Sequence, residues 1–261
     1  MKMKNIRYDN NGIPRLSRPD LDAWAERFTL FFDKDALSQP QMTPIFTICD
    51  RLKEEHGVNF VFGTDLGTSP EGYKYRGRFH IPTSTIYIDK SLEWKDPRFN
   101  FTLAHELAHF VLHRKINTEI LKTGQNKDIS DTSRQLILDH VKSDNPRDWL
   151  EWQANKFASS FLLPRQTVPY AVIEKQIEIG VTRRIGTLYL DRQPTNIEMY
   201  HRIIDHLVKI YETSKTSTKL RLIELDILIE TEIRQTPQSR SVESVTQVMR
   251  DMFSKLSDEW D

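Results

Sequence analysis

A His-Glu-x-x-His segment at residues 105–109, HELAH, constrains the fold of this chain more than any other feature. Residues four apart on an α-helix lie about 40° apart around the helix axis, so the imidazoles of His105 and His109 can reach one metal ion. Glu106 would then project toward the open side of that ion, where a carboxylate can act on water. The spacing therefore predicts a hydrolytic zinc site on a helix, and the alternative is a core helix with two hydrogen-bonded histidines.

The residues around this segment predict a helix with two different faces. Leu103, Leu107, Phe110 and Val111 recur at three- and four-residue steps on the side away from the histidines. That spacing is typical of a helix that packs on a core along one stripe. We therefore expect the histidine side of the helix to be wet.

His113 continues the spacing of the histidines but is predicted not to bind the metal. A straight helix would carry His113 about 12 Å along its axis from His105, which is too far for three imidazoles to converge on one ion. Other zinc peptidases recruit a third histidine where a glycine breaks the helix, and the pattern here is uninterrupted. We expect His113 at the helix end, contacting terminal carbonyls or packing.

A third protein ligand is expected on a second helix, because a catalytic zinc ion takes three protein ligands and one open position. Residues 149–164, WLEWQANKFASSFLLP, follow Asn145 as N-cap and Pro146 as first helical residue, and the final proline ends the helix. The spacing predicts Glu151 as the third ligand and Asn155, one turn later, as the group that orients a ligating imidazole. A solvated helix charge is the alternative for Glu151.

Together the two segments resemble the ImmA/IrrE family of metallopeptidases. FTLAHELAHFVLHR followed by EWQANKFASSFLLP is similar, in order and character, to that family's His-Glu-x-x-His helix and Glu-x-x-Ala-Asn-x-Phe-Ala helix. The resemblance implies that His105, His109 and Glu151 bind Zn²⁺ and that Glu106 is the catalytic carboxylate. Many Glu-liganded zincins carry an aspartate where this chain has Asn155, so a neutral group is expected to support its histidine less strongly.

The resemblance also implies a function. Members typically cut a helix-turn-helix repressor or partner regulator encoded nearby, so we expect a zinc endopeptidase that switches on a stress, mobile-element or defence response. The alternatives are a DNA- or protein-binding regulator that keeps the zincin fold as a scaffold, and a partner-binding subunit of a larger complex. The presence of Glu106 favours the peptidase, because a scaffold needs the ligands but not this carboxylate.

The composition is that of an intracellular enzyme or regulator. The 37 basic and 37 acidic residues leave no net charge to attract nucleic acid or an anionic membrane. Cys49 is the single cysteine, which excludes an intrachain disulfide and a thiolate metal cluster. The sequence shows neither an apolar signal core nor a run of membrane-spanning length, so a cytoplasmic location without membrane contact is expected.

The pattern of the first part predicts an α+β fold, a zincin-like peptidase domain at residues 1–164 with a small mixed sheet. Helices are expected after Asp20 and at about 44–55, and short strands at 58–63, 73–81 and 83–89. The strand at Thr85–Ile88 is either an edge that binds substrate by strand addition or an internal strand. Residues 114–144 are polar and predict a loop, which either borders the cleft or is solvated surface.

A small, mostly helical region is predicted at 165–235 and an amphipathic helix at 236–261. A hairpin is expected within 181–193 and a helix from Asn196. Tyr189, Tyr200 and His201 are candidates for the group that stabilises the transition state, because they lie in a region expected to line the cleft.

Residues 214–228, SKTSTKLRLIELDIL, resemble the helix-turn-helix-like segment that follows the peptidase in this family. The surrounding residues 211–240 contain five basic and five acidic side chains, which leaves no net charge. Phosphate contacts supply much of the affinity for DNA, so direct DNA binding is expected to be weak or absent. A structural or partner-binding role is favoured instead.

Overall fold

The computed structural model of the protein describes residues 6–10, 12–70, 72–116, 128–132 and 146–230, and these residues form a mixed α+β structure. The helices are α1 (Arg18–Phe32), α2 (Ile45–His56), α3 (Pro97–Ala108), α4 (Pro146–Leu162), α5 (Val168–Glu178), α6 (Pro194–Tyr211) and α7 (Lys215–Glu224). The strands are β1 (Asn59–Thr64), β2 (Tyr75–His80), β3 (Thr85–Asp89), β4 (Asp128–Thr132), β5 (Leu188–Leu190) and β6 (Leu228–Glu230). A π-helical turn (His109–His113) directly continues α3.

A capping box starts α1 at Arg18, before the start that is expected after Asp20. Ser17 is the N-cap, and its side chain accepts a hydrogen bond from the backbone N–H of Asp20. The Asp20 carboxylate in turn accepts a hydrogen bond of 2.8 Å from the backbone N–H of Ser17. Further along α1, Phe28 packs on Phe157 of α4 with ring centroids 5.9 Å apart, so α1 supports the second helix of the site.

The elements from α1 to α4 share one hydrophobic cluster and are called the first unit. A four-stranded mixed sheet, in the order β1-β3-β2-β4, forms one layer of it. β1 pairs with β3 in parallel, whereas β2 pairs antiparallel with both β3 and β4. β3 is therefore an internal strand, and the interpretation of Thr85–Ile88 as an edge is wrong. Its side chains Ile86 and Ile88, which point to the same face of the strand, are buried in the core.

β4 lies within the segment that was expected to be a loop. Its sequence, DISDT, lacks the alternation of apolar and polar residues that predicts a strand, so pairing with β2 rather than local propensity determines its conformation. Residues 117–127 and 133–144 of that segment lie outside the described residues, as does the predicted cap Asn145.

The helix α3 is packed between the sheet and α4, and it is buried on every side from Thr102 to Ala108. Leu103 and Leu107 belong to the same hydrophobic cluster as Phe79 of the sheet and Phe157 of α4. The expectation of a wet histidine side is wrong because α4 covers that face. The first unit thus holds His105, Glu106 and His109 inside its core rather than on its surface.

A second hydrophobic cluster begins at Leu163 and gathers side chains of α5, α6 and α7. Its two strands, β5 and β6, pair in parallel. The predicted hairpin within 181–193 is wrong, because β5 pairs with a strand that follows α7 and parallel strands need a long crossover. α6 begins at Pro194, with Gln193 in the N-cap position, slightly before the predicted start at Asn196.

Buried charges join this second unit to the first. Arg221 of α7 donates hydrogen bonds to the Asp22 carboxylate at 2.7 Å and to the Leu163 carbonyl at 2.9 Å. Lys156 of α4 forms an ion pair with Glu224 of α7. Because both pairs are largely shielded from water, they fix α7 against α1 and α4.

The amphipathic helix predicted at 236–261 lies outside the described residues. The helix-turn-helix-like character of residues 214–228 stays a prediction, and of these residues Lys215–Glu224 form α7 and Leu228 begins β6. Among the described helices, none combines the length and the apolar character needed to cross a membrane.

Candidate metal centre

His105, His109 and Glu151 converge on one point between α3 and α4. The Nε2 atoms of His105 and His109 lie 2.9 Å apart. The Oε2 atom of Glu151 lies 3.2 Å from Nε2 of His105 and 3.7 Å from Nε2 of His109. Within the described part of the chain, these three side chains form a group that could hold a metal ion, and all are buried.

Local structure explains how the two histidines meet a glutamate that is distant in the sequence. Asp96 caps α3 by accepting a hydrogen bond from the backbone N–H of Arg98, and His105 occupies the last turn of that helix. His109 begins the π-helical turn, so it stays one turn along from His105. Glu151 lies in the second turn of α4, which packs directly on the histidine face of α3.

The distances fit a zinc ion. Tetrahedral coordination with metal–ligand bonds of about 2.0–2.1 Å separates neighbouring ligand atoms by about 3.4 Å. The three observed separations, 2.9, 3.2 and 3.7 Å, bracket that value. Two imidazole nitrogens and one carboxylate oxygen are also a donor set that zinc accepts with a fourth position left open.

The outer nitrogen of His105 contacts Asn155, at the position where the sequence predicts an orienting group. Nδ1 of His105 lies 2.8 Å from Oδ1 of Asn155. A carbonyl oxygen only accepts hydrogen bonds, so Nδ1 carries the proton and Nε2 presents its lone pair to the centre. Asn155 thereby sets the tautomer that a metal ligand needs.

His113 ends the π-helical turn and packs in the core, which is the second of its two expected roles. It is fully buried, with Nδ1 2.9 Å from Nδ1 of His109 and Nε2 3.0 Å from Oε1 of Gln153 on α4. The π-helical turn replaces the straight α-helix that the sequence pattern predicts. His113 is not among the side chains that converge on the candidate metal point.

The electrostatics of the centre favour the protonation states that metal ligands require. Burial lowers the pKa of His109 to about 4 and that of His113 to about 3, so both imidazoles are neutral near pH 7. Burial alone would raise the pKa of Glu151, but contacts with His105 and His109 hold it well below its ordinary value. A neutral His109 imidazole and an ionised Glu151 carboxylate therefore meet at one point.

Glu106, beside His105 on α3, is buried where the backbone of β2 passes over the helix. A Cβ atom added to Gly77 of β2 would lie 2.5 Å from Oε1 of Glu106 and 2.7 Å from Cγ2 of Thr102. Both distances are too short for real contacts, so only glycine allows this approach. Gly77 is not among the predicted site residues, although a lone glycine inside a predicted strand is a signal of close backbone approach.

The three candidates for a transition-state stabiliser lie in the second unit. Tyr189 is on β5, where its ring faces the guanidinium of Arg184 at 5.5 Å. Tyr200 and His201 are neighbours on α6, and Tyr200 packs against the second hydrophobic cluster. No contact described for the three side chains brings them to His105, His109 or Glu151.

Comparison with known proteins finds a family model that covers both helices of the candidate metal centre. Residues 53–178 match the Peptidase_M78 family model, described as the IrrE N-terminal-like domain, and this range contains α3 and α4. A similar solved structure is a Mycobacterium tuberculosis transcriptional regulator, with 18% identity and a TM-score of 0.45. The aligned region covers 82% of this chain and 49% of the regulator, so the chain spans about half of that protein's length.

Comparison with curated proteins gives no match. The likeness to this family therefore rests on the family model together with the two motif helices that resemble ImmA/IrrE. Residues 53–178 of this chain are similar to the IrrE N-terminal-like domain of the Peptidase_M78 family.

Proposed function

We propose that this protein is a zinc-dependent endopeptidase that cleaves one specific regulatory protein. The observation that carries the proposal is the convergence of two imidazole nitrogens and one carboxylate oxygen, with Glu106 next to a ligand in the same helix. The family match supports peptidase chemistry, because it covers the elements that carry all four residues. A zincin-like fold for residues 1–164 belongs to the same proposal.

In this proposal His105, His109 and Glu151 hold the zinc ion. When bound there, zinc supplies Lewis acidity that polarises the scissile carbonyl and lowers the pKa of water. Glu106 accepts the proton of the attacking water and delivers it to the leaving amine. Gly77 confines the Glu106 side chain against β2, which limits the orientations that its carboxylate can adopt.

The proposed substrate is a helix-turn-helix repressor or partner regulator encoded nearby. Support comes from the resemblance of both motif segments to ImmA/IrrE peptidases, which cut such regulators. Cleavage would switch on a stress, mobile-element or defence response, and it would take place in the cytoplasm. The division of the hydrophobic core between Leu162 and Leu163 supports a domain boundary near residue 164.

Weak or absent direct DNA binding is part of the proposal. Each basic residue of α7 already has an acidic partner: Lys215 pairs with Asp205 at 2.6 Å, Lys219 with Glu230 at 2.5 Å and Arg221 with Asp22 at 2.7 Å. A helix whose cations are neutralised within the protein offers little to a phosphate backbone.

The alternative is a regulator that keeps the metal site as a scaffold. The burial of Glu106 and all three ligand side chains favours this alternative, because a peptide must reach the carboxylate before it can be cut. A scaffold retains the metal and the fold but derives nothing from the proton transfer by Glu106. Replacement of Glu106 therefore separates the two functions.

The test is incubation of the zinc-loaded protein with the regulator encoded beside its gene. We expect wild-type protein to cut the regulator, and Glu106→Gln to retain zinc but lose cleavage. Glu178→Gln, which makes the same chemical change on the exposed face of α5, is the matched control and should cleave normally. Cleavage by Glu106→Gln at the wild-type rate would contradict the mechanism, and zinc binding without cleavage by the wild type would favour the scaffold.

A further inference from the structure

A chain of buried hydrogen bonds leads from the N-terminal segment to His109. Nε2 of Gln153 donates to the carbonyl oxygen of Pro14 at 2.6 Å. Oε1 of Gln153 lies 3.0 Å from Nε2 of His113, and Nδ1 of His113 lies 2.9 Å from Nδ1 of His109. His109, His113 and Gln153 are all fully buried, so water does not compete for these contacts.

The Pro14 carbonyl, at the outer end of this series of hydrogen bonds, determines the direction of each of them. The Pro14 carbonyl only accepts, so the amide nitrogen of Gln153 faces it and the amide oxygen faces His113. That oxygen also only accepts, so Nε2 of His113 carries the proton and Nδ1 of the neutral ring is an acceptor. Nδ1 of His109 must then donate to it, which leaves the lone pair of His109 on Nε2.

We propose that His113 and Gln153 are positioning residues that fix His109 in the tautomer whose Nε2 binds the metal. The inference rests on the proposed metal site but not on peptide cleavage. It assigns to His109 the support that Asn155 gives to His105. Without these hydrogen bonds, His109 could carry its proton on Nε2. That proton would point at His105, 2.9 Å away, and would have to leave before a metal could bind.

The π-helical turn fits this role. It spans His109–His113 and therefore lies between the two histidines whose Nδ1 atoms meet. Single π-helical turns are rare in proteins, and those that occur are often found at functional sites. A merely space-filling histidine would need neither this turn nor the amide of Gln153 in one orientation.

Two substitutions at His113 separate positioning from packing. Leucine and asparagine have nearly the same shape, but only asparagine carries an oxygen as many bonds from Cα as Nδ1 of histidine. Asparagine can therefore accept the hydrogen bond from Nδ1 of His109, and leucine cannot. His56→Leu, on the exposed end of α2, is the control for the loss of a histidine elsewhere.

The first experiment measures the zinc dissociation constant of the full chain by competition with a chelator. We expect His113→Leu to bind zinc about 10- to 100-fold more weakly than wild type. His113→Asn and His56→Leu should bind close to the wild-type value. Equal weakening by His113→Leu and His113→Asn, or unchanged affinity in a folded His113→Leu protein, would overturn the proposal.

The second experiment reads the tautomer directly, in metal-free protein, from the ¹⁵N chemical shifts of labelled histidine. Wild-type His109 should be protonated on Nδ1, and Gln153→Leu should give a mixture of tautomers because His113 loses its fixed acceptor. A wild-type His109 protonated on Nε2, or an unaltered tautomer in Gln153→Leu, would overturn the proposal. This measurement also decides the question if His113→Leu does not fold. Failure of the wild type to bind zinc would instead contradict the proposed function.

Discussion

The two units bury polar groups in opposite ways. At the centre of the first unit, His105, His109 and Glu151 turn lone pairs toward one point between α3 and α4. Where the second unit meets the first, buried groups are matched as opposite charges, such as Arg221 with Asp22. Burial of any polar group is costly, so both arrangements need compensation. The second is compensated by opposite charges within the protein, whereas the first forms a group that could hold a metal ion.

This difference suggests which contacts serve the fold and which serve chemistry. The ion pairs of Arg221 and Lys156 hold α7 against α1 and α4, and in each pair a carboxylate faces a cationic side chain. The candidate metal centre lies within the first unit and draws its three side chains from α3, the π-helical turn that continues it, and α4. Damage to the junction should therefore affect stability, and damage to the centre should affect zinc and cleavage.

Loss of Arg221 should have the largest effect on stability. Arg221→Leu leaves the Asp22 carboxylate without its buried cation, so we expect the free energy of unfolding to fall by about 3–5 kcal/mol. The matched change Lys215→Leu breaks an exposed pair with Asp205 and should cost less than about 1 kcal/mol. Urea denaturation measures both, and equal losses would show that the junction is no different from surface pairing.

Gly77→Ala should impair cleavage at the candidate metal centre. The added Cβ meets Oε1 of Glu106 and Cγ2 of Thr102, so we expect a loss of about 1–3 kcal/mol in stability and a large fall in cleavage, with zinc retained. The double variant Gly77→Ala, Thr102→Ser removes the clash with Cγ2 and leaves the clashes with the Glu106 side chain. It should recover part of the stability but little of the cleavage, because the contact with Glu106 remains. Wild-type cleavage by Gly77→Ala would contradict the close packing of β2 on Glu106.

Asp89 gives the first unit a buried carboxylate that is matched within the protein. Burial opposes its ionisation, but hydrogen bonds from the backbone N–H groups of Leu66 and Ser91 and from Lys74 lower the pKa of Asp89 to about 2. The folded-state pKa lies below the unfolded one, so the stabilisation is complete above about pH 4 and disappears as the pH falls toward 2. Asp89→Asn should cost about 1–2 kcal/mol at pH 7.

Denaturation of wild type and Asp89→Asn at several pH values tests this sign. The difference in unfolding free energy between the two proteins should shrink as the pH falls from 5 to about 3. A difference that grows on acidification would show that the carboxylate is not held in its ionised form.

Direct DNA binding is the smallest effect that we expect. The cations of α7 are paired with Asp205, Glu230 and Asp22, so the full chain should show little affinity for duplex DNA at near-physiological salt. Fluorescence anisotropy with the promoter region beside the gene measures this. Submicromolar, sequence-dependent binding would contradict this expectation and show that the protein binds DNA directly.

Local spacing accounts for what the sequence predicted well. His105 and His109 share a face because they are four apart in a helix, and Glu151 and Asn155 do so for the same reason. The structure brings these four together, since α4 packs along the histidine face of α3. Side chains within a single helix can be assigned to a face from periodicity alone.

Tertiary approach accounts for what the sequence did not reveal. Gln153 and His113 meet only because α4 lies beside a π-helical turn, and neither the turn nor the pairing has a local signature. β3 is internal because β1 pairs with it in parallel, and β5 pairs with β6 across two intervening helices. Such contacts depend on residues far apart in sequence, which periodicity does not encode.

The metal content of the purified protein tests the central claim most directly. Elemental analysis of full-length protein, prepared without added metal, should give close to one zinc ion per chain. Folded His109→Ala should lose most of it, whereas His56→Ala, which removes an exposed histidine of α2, should match wild type. Wild-type protein free of divalent metal, or full retention of zinc by folded His109→Ala, would contradict the assignment of this buried centre as a metal site.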